Sequence, residues 1–319
     1  MRELNLLQHI YGSSASLPES VTIGPGDDMG MVQIGGNDVL VTVDQLADGV
    51  HFDLAATPLQ KVARKAITRN LSDVAAMAAQ PVGAVAAVSL PKGFGDRRAN
   101  ELFDAMRATA EAYRCPLLGG DISMWNGALL LTVTVLAEPA GIAPITRRGA
   151  QVGDVVCVTG QLGGSLETID GPTPYTHHLD FEPRIALARM LAADANLDIH
   201  CMIDLSDGLA KDLSHICRGS GVAAEVVTDG LPISPAAHRA AHRDQQPPWR
   251  HALADGEDYE LCFTIPQKQV RRSLPKHIDG VAITPIGVIT PADDGPIIML
   301  KLPDGSLQPA DDLGWEHRS

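Results

Sequence analysis

The chain has 319 residues, 45% of them hydrophobic and 20% charged, with a formal net charge of −14. That length exceeds the ~250–300 residues a single core usually spans, so two domains are expected, and the apolar content excludes a disordered chain. The acidic balance argues against nucleic acid or an anionic membrane surface as a general partner, but it leaves phosphate ligands open where divalent metal mediates the contact.

Residues 1–11 pattern as a short amphipathic helix, with Leu4, Leu7, His9 and Ile10 interleaved among polar groups. The start of the chain lacks the apolar core of a secretion signal, and no run approaches the ~18 apolar residues of a membrane span, so a soluble cytoplasmic protein is expected. Strands are expected at Val39–Val43, Gly83–Leu90 and Ala128–Ala137, and helices at Pro58–Ala79 and Arg97–Tyr113. Pro139-Ala140-Gly141 and the basic turn Thr146–Gly149 suggest a boundary, giving expected domains 1–140 and 141–319.

The second half restarts with a strand at Val155–Thr159 that enters Gly160-Gln161-Leu162-Gly163-Gly164-Ser165. A turn is the ordinary reading of that glycine run; a phosphate cradle is the alternative. A helix around Pro183–Ala193, a strand at Cys201–Ile203 and a helix from about Asp207 to Cys217 follow, with late strands at Leu261–Ile265 and Val281–Ile289. Residues 240–249 are polar and read as an exposed loop. Mixed strands and helices in both halves make an α/β (α+β) class. The five cysteines are scattered singly, which suggests core thiols rather than disulfides or a zinc site.

Carboxylates are the informative feature. They recur at Asp27-Asp28, Asp44, Asp73, Asp121, Asp204, Asp207 and Glu257-Asp258, most beside glycine or just after an apolar run, where strands end in tight turns. Converging carboxylates repel by ~4 kcal/mol per pair at about 4 Å and an effective dielectric of ~20. Such a group persists when cations fill it, and oxygen ligands that leave room for phosphates suit Mg²⁺. On a helical wheel over Pro58–Ala79, with Thr57 as N-cap, Asp73 and Asn70 fall inside the apolar arc while Lys61, Arg64, Lys65 and Ser72 fall on the polar half. An Asp73 facing the interior pairs with an arginine or ligates metal, and the other acidic turns favour metal. Asp207 and Ser206 suit a helix cap, which leaves Asp204 at a strand end unexplained. No Walker A sequence is present, and no Ser/His/Asp or Cys/His nucleophile system is evident.

Taken in order, these segments resemble the thiamine-monophosphate kinase family of the aminoimidazole ribonucleotide synthetase superfamily. The matching stretches are Gly24–Asp28, Val41–Asp44 with Asp48–Phe52, Asn70–Met77, Leu118–Asp121, Thr146–Ala150, Val158–Gly163, Met202–Leu209 and Gly256–Leu261. The resemblance implies a two-domain synthetase-like fold: an N-terminal mixed-sheet domain that dimerises through its sheet and a C-terminal α/β domain that completes the site. It implies ATP-dependent phosphorylation of thiamine monophosphate, with several Mg²⁺ ions held by Asp28, Thr42, Val43, Asp44, Asp73, Asp121, Asp204 and Asp207. Phe103, Gly120, Asp121, Arg147 and Ser206 would contact ATP, and His51, Glu257 and Trp315 would line the thiamine end. Asp44, Asp73, Asp204 and Arg147 would carry the transfer. The family pattern has other residues at Pro25, Val43, Gln45 and Asp255. Two alternatives stay open: another ATP-dependent synthetase of the superfamily, and a non-catalytic homologue that binds thiamine phosphate or nucleotide.

Overall fold

The computed structural model describes residues 9–10, 17–169 and 175–315. The helix expected at residues 1–11 lies outside these apart from His9–Ile10, which are helical. One sheet is six-stranded, in the order β1-β2-β3-β6-β4-β5. Its strands are Val21–Ile23 (β1), Gly30–Ile34 (β2), Asn37–Ala47 (β3), Gln80–Pro91 (β4), Leu117–Trp125 (β5) and Leu130–Glu138 (β6). Alternation sets its faces: along β6, Leu131, Val133, Val135 and Ala137 are buried and the residues between them are not. The helices Leu59–Ala76 (α1) and Asp96–Ala112 (α2) cover that buried face. The opposite face carries Val41, Val43 and Val85 exposed.

The remaining chain forms an eight-stranded sheet in the order β10-β12-β7-β14-β11-β15-β16, with β13 on β14. It comprises Asp154–Thr159 (β7), Cys201–Asp204 (β10), Val222–Val227 (β11), Leu261–Pro266 (β12), His277–Ile278 (β13), Val281–Pro291 (β14), Ile298–Lys301 (β15) and Leu307–Pro309 (β16). A small hairpin pairs Thr168–Ile169 (β8) with Tyr175–Thr176 (β9). Helices in this half are His177–Asp180 (α3), Ile185–Ala193 (α4), Leu209–Ser220 (α5), Pro235–Asp244 (α6), Pro248–Ala254 (α7) and Gln267–Val270 (α8). Strands β7 and β10 are buried at every residue, as expected of strands covered on both faces. Leu209, Leu213, Ile216 and Cys217 of α5 pack on one side, as their spacing predicts. The other side meets α4 and the end of α1 through Ala75, Ala76 and Ala78. All five cysteines are buried and free. No helix among the described residues is long and apolar enough to cross a membrane.

Three sequence expectations are corrected here. Residues 240–249 are largely helical, not a loop: Ser234 caps α6 at the Ala237 N–H, Ala236, Ala237, Ala240 and Ala241 form a small buried stripe, and Pro248 starts α7. Pro58, not Thr57, occupies the N-cap of α1. Lys65 and Ser72, placed on the polar half of the α1 wheel, are fully buried. The reason is that α1 lies between the two halves of the molecule. Its apolar arc meets the first sheet, and its polar arc meets the second half: Lys61 pairs with Asp180, Arg64 donates to the Phe181 carbonyl, and Ser72 donates to Asp204.

Lys65 anchors this seam. Its Nζ lies 2.9 Å from the His51 carbonyl, 2.8 Å from His178 Nδ1 and 2.7 Å from Glu257. Burial pushes the amine down to about 8 against the pull of Glu257. Replacing one partner of such a buried pair strands the other charge, so Lys65→Met should destabilise by about 3–5 kcal/mol in urea unfolding. Lys65→Met combined with Glu257→Gln should recover part of that loss.

Candidate active site

Asp28, Asp73 and Asp204 arrive from three separate segments and place carboxylate oxygens within 4.8 Å of one another. Asp28 sits in the β1–β2 turn, Asp73 projects from the last turn of α1, and Asp204 ends β10. Each is tied down by a neighbour. Thr42 of β3 donates a short hydrogen bond to Asp73, Ser72 Oγ lies 2.7 Å from Asp204, and the Arg147 guanidinium lies 2.7 Å from Asp28. The Arg147 backbone N–H also donates to Asp27 at 2.8 Å.

The electrostatics are those of a crowded acidic cluster short of positive charge. Burial, then the charges of Asp44, Asp204 and Asp28, pushes the Asp73 carboxyl well up. Burial and the Asp28 charge raise Asp204 to about 8, and burial raises Asp27 to about 6. One oxygen of Asp28, Oδ2, is buried with no hydrogen-bond partner. An orphaned buried acceptor in an all-oxygen set suits a hard divalent cation, and among the common ones Mg²⁺ or Mn²⁺. The reading of Asp73 as an arginine salt bridge does not hold: its hydrogen-bond partner is Thr42.

The carboxylates do not all stand in turns. Asp44 lies inside β3, its N–H held by Asn70 Oδ1 at 3.1 Å. Gly119-Gly120-Asp121 is not a turn but the interior of the edge strand β5. Cross-strand register aligns Gln45, Thr132, Ala87 and Asp121, and also Val43, Thr134, Val85 and Gly119. Val43 and Val85 are on the exposed face, so Asp121 points to the face opposite Thr42 and Asp44. It is also three strands from β3 in the sheet order, or ~14 Å at the usual strand spacing. Within one chain, therefore, Asp121 and Gly120 do not join the trio. Phe103 packs into the first core from α2. The side chains of Val43 and Gln45 likewise face away from the trio, the latter reaching Thr132.

Beside the trio is a cavity lined by His51, Arg69, Ser206, Asp207, Asp255, Glu257, Tyr259 and Trp315, which gathers the expected Ser206 and Asp207 with all three residues expected at the thiamine end. The Leu205–Gly208 turn and the Gly256–Glu260 segment are knitted together: Glu257 N–H reaches the Ser206 carbonyl at 2.7 Å and Tyr259 N–H reaches that of Leu205 at 2.8 Å. Glu257 and Tyr259 both hold positive φ, 55° and 50°. Such strain persists where surrounding contacts over-determine it. Tyr259 stacks on Phe181, and Glu257 is gripped by Lys65 and His178. Against the upward push of burial, those two partners hold the Glu257 carboxyl down to about 2. Asp207 is an ion-pair partner of Lys211 at 2.7 Å, its N–H donates to buried Asp212, and its carbonyl accepts from the Trp315 N–H.

The glycine run is a turn. Gly160, Gly163 and Gly164 have positive φ, and the Gly163 and Gly164 N–H groups are taken by Asp258 and Asp255. A Cβ at Gly163 would meet the α7 backbone at 2.6 Å. Asp255, one of the departures, thus has a structural task. A larger cavity, of about 430 Å³, lies between this turn and α6, but none of the expected site residues lines it. We locate the site at the carboxylates. Sequence reading missed Lys65, Arg69, His178, Tyr259 and Asp212; the signal available for Tyr259 was its place in the Gly256–Leu261 stretch.

The family model for the N-terminal domain of AIR synthase related proteins matches residues 26–138. A thiamine-monophosphate kinase of Rhodopirellula baltica is 34% identical over 296 residues, covering 90% of this chain and 89% of its own. That of Salmonella typhimurium is 35% identical over 333 residues, covering 99% and 98%. Among solved structures, AaThiL complexed with AMPPCP and TMP superposes with a TM-score of 0.81 at 26% identity, covering 99% of this chain and 97% of that one. The hydrogenase maturation protein HypE in complex with ATP shares the fold, with a TM-score of 0.68 at 15% identity over 99% of this chain and 95% of that one.

The trio makes a thermodynamic prediction. Asp204 keeps its proton up to about 8 in the folded protein but loses it near 3.8 when unfolded. Its contribution is therefore complete below about 4 and is lost as pH rises towards about 8. Without metal, Tm should fall over that window, and Mg²⁺ should offset the fall most at the alkaline end. Asp73→Asn should raise the metal-free Tm and shrink the Mg²⁺-dependent increase, as read by calorimetric scans.

Proposed function

The chain belongs to the thiamine-monophosphate kinase family, and from that premise we propose that it transfers the γ-phosphoryl group of ATP in line to thiamine monophosphate, giving thiamine diphosphate and ADP. The observation that carries this reading is the junction of two environments at Arg69: this side chain lies 3.5 Å from Asp44 on the carboxylate side and lines the cavity of His51, Glu257 and Trp315 on the other. A phosphate acceptor bound in that cavity would present its phosphate to the acids.

Asp28, Asp73 and Asp204 would hold Mg²⁺, with Thr42, the Val43 carbonyl, Asp44 and Asp207 as further ligands. When bound, Mg²⁺ neutralises the crowded phosphate oxygens. Arg147 pairs with Asp28 and would turn to a nucleotide phosphate when cations take over that carboxylate. Ser206 stands at the cavity wall as an ATP contact, and His51, Glu257 and Trp315 form the thiamine end. The attacking phosphate oxygen is already anionic at neutral pH, so the chain needs no general base. Catalysis rests on positioning and charge. The same reading places the protein in the cytoplasm.

Gly120 and Asp121 lie away from the trio within one chain, Phe103 packs against the first core, and the uncovered face of the first sheet carries exposed Val41, Val43 and Val85. We propose that a homodimer forms through this face and brings the second copy's Gly120 and Asp121 to the site. Asp73→Asn and Asp121→Asn proteins, each inactive alone, should then regain partial activity when co-refolded as mixed dimers; no recovery would place Asp121 elsewhere.

A coupled ADP-release assay with thiamine monophosphate, ATP and Mg²⁺, with thiamine diphosphate identified by mass, tests the activity. Turnover should fall at least ~100-fold in Asp73→Asn and in Asp204→Asn with folding intact. ADP without thiamine diphosphate would favour another synthetase of the superfamily. Tight binding of thiamine monophosphate without ADP would favour the non-catalytic homologue.

A further inference from the structure

Among the described residues that line the cavity beside the trio, Arg69 is the one arginine, and its hydrogen bonding is incomplete. Its side chain is 14% exposed. Nη1 donates to the Gln45 carbonyl at 3.0 Å, Nη2 makes only a long 3.5 Å contact to Asp44, and the buried Nε has no partner. A guanidinium has five donors in a planar fork suited to carboxylate or phosphate. An arginine kept only to pair Asp44 would sit closer and use more of them. The bond to the Gln45 carbonyl instead fixes the fork at the cavity wall, between the acids and Glu257. Burial works against its charge, and the carboxylates of Asp44 and Glu257 outweigh that and keep it cationic.

We infer that Arg69 recognises the phosphate of the acceptor substrate and so distinguishes a phosphate monoester of thiamine from thiamine itself. This rests on the kinase reading above and adds a specificity residue to it. Cations binding Asp44 would withdraw that carboxylate from Nη2 and leave the fork for an anion. The cavity offers Glu257 and the Tyr259 and Trp315 rings to the thiamine end and Arg69 to the phosphate end. Arg69 positions and selects; Arg147, paired with Asp28 rather than Asp44, stays with the nucleotide.

The test measures equilibrium binding of thiamine monophosphate and of thiamine, with Mg²⁺ and no ATP, alongside steady-state kinetics. It uses wild type, Arg69→Lys and Arg69→Met. Wild type should bind the monophosphate more tightly than thiamine. In Arg69→Met that preference should drop about tenfold, the worth of one charge-assisted contact, while thiamine affinity holds. KM for thiamine monophosphate should rise about as much and KM for ATP little, with Arg69→Lys intermediate. Unchanged preference in Arg69→Met, or an equal loss of thiamine affinity, overturns the assignment, the second outcome marking a merely structural role. Wild type that forms no thiamine diphosphate fails the kinase reading instead, and the binding preference still decides the role of Arg69.

Discussion

Repulsion among Asp28, Asp73 and Asp204 organises this molecule. Three carboxylates within 4.8 Å, largely cut off from water, oppose folding. At that separation each ionised pair would repel by ~3–4 kcal/mol at an effective dielectric of about 20. The protein accepts this with few compensations: Arg147 on Asp28, Ser72 on Asp204 and Thr42 on Asp73. Those contacts aim the oxygens inward and leave Asp28 Oδ2 unsatisfied. Under the proposed function, cations brought by a nucleotide would relieve that repulsion.

Helix α1 makes the convergence possible. It is apolar toward the first sheet and polar toward the second half, so one rigid element supplies Asp73 to the acids, Ser72 to Asp204, Arg69 to the cavity wall and Lys65 to Glu257. A helix is a more precise mount than a loop. The strained Gly256–Glu260 segment is the looser partner, and it is held by the Lys65 ion pair and by the stack of Tyr259 on Phe181. The Glu257 that faces the cavity also closes the two halves.

Much of this was legible in the sequence, and the failures have physical causes. Periodicity located α1 and put Asp73 in its buried arc, because a carboxylate among Val62, Ala66 and Leu71 breaks the apolar pattern. The same wheel put Lys65 and Ser72 on its polar half and gave no sign that this half is buried, since a wheel reads one partner and this helix has two. The turn reading held for Asp28, Asp204 and Glu257. It failed for Asp44 and Asp121, where flanking glycine or polar residues hid continuous strands; β5 is an exposed edge with weak alternation. The α6–α7 region was missed because its buried stripe is alanine, which carries little hydrophobic signal, and because Pro247-Pro248 reads as loop although it begins a helix. The family resemblance supplied residues that local pattern could not, including Phe103 and Trp315, and the sheet register showed that Asp121 is remote from the trio within one chain.

The central claim is that the trio is a cation site completed by the nucleotide. Anomalous diffraction from crystals grown with Mn²⁺ and a non-hydrolysable ATP analogue tests it most directly. The account predicts manganese peaks in direct contact with carboxylate oxygens of Asp28, Asp73 and Asp204, bridging them to the analogue's phosphates. Nucleotide density in the site with no manganese on these three residues, or manganese bound only elsewhere, would contradict it.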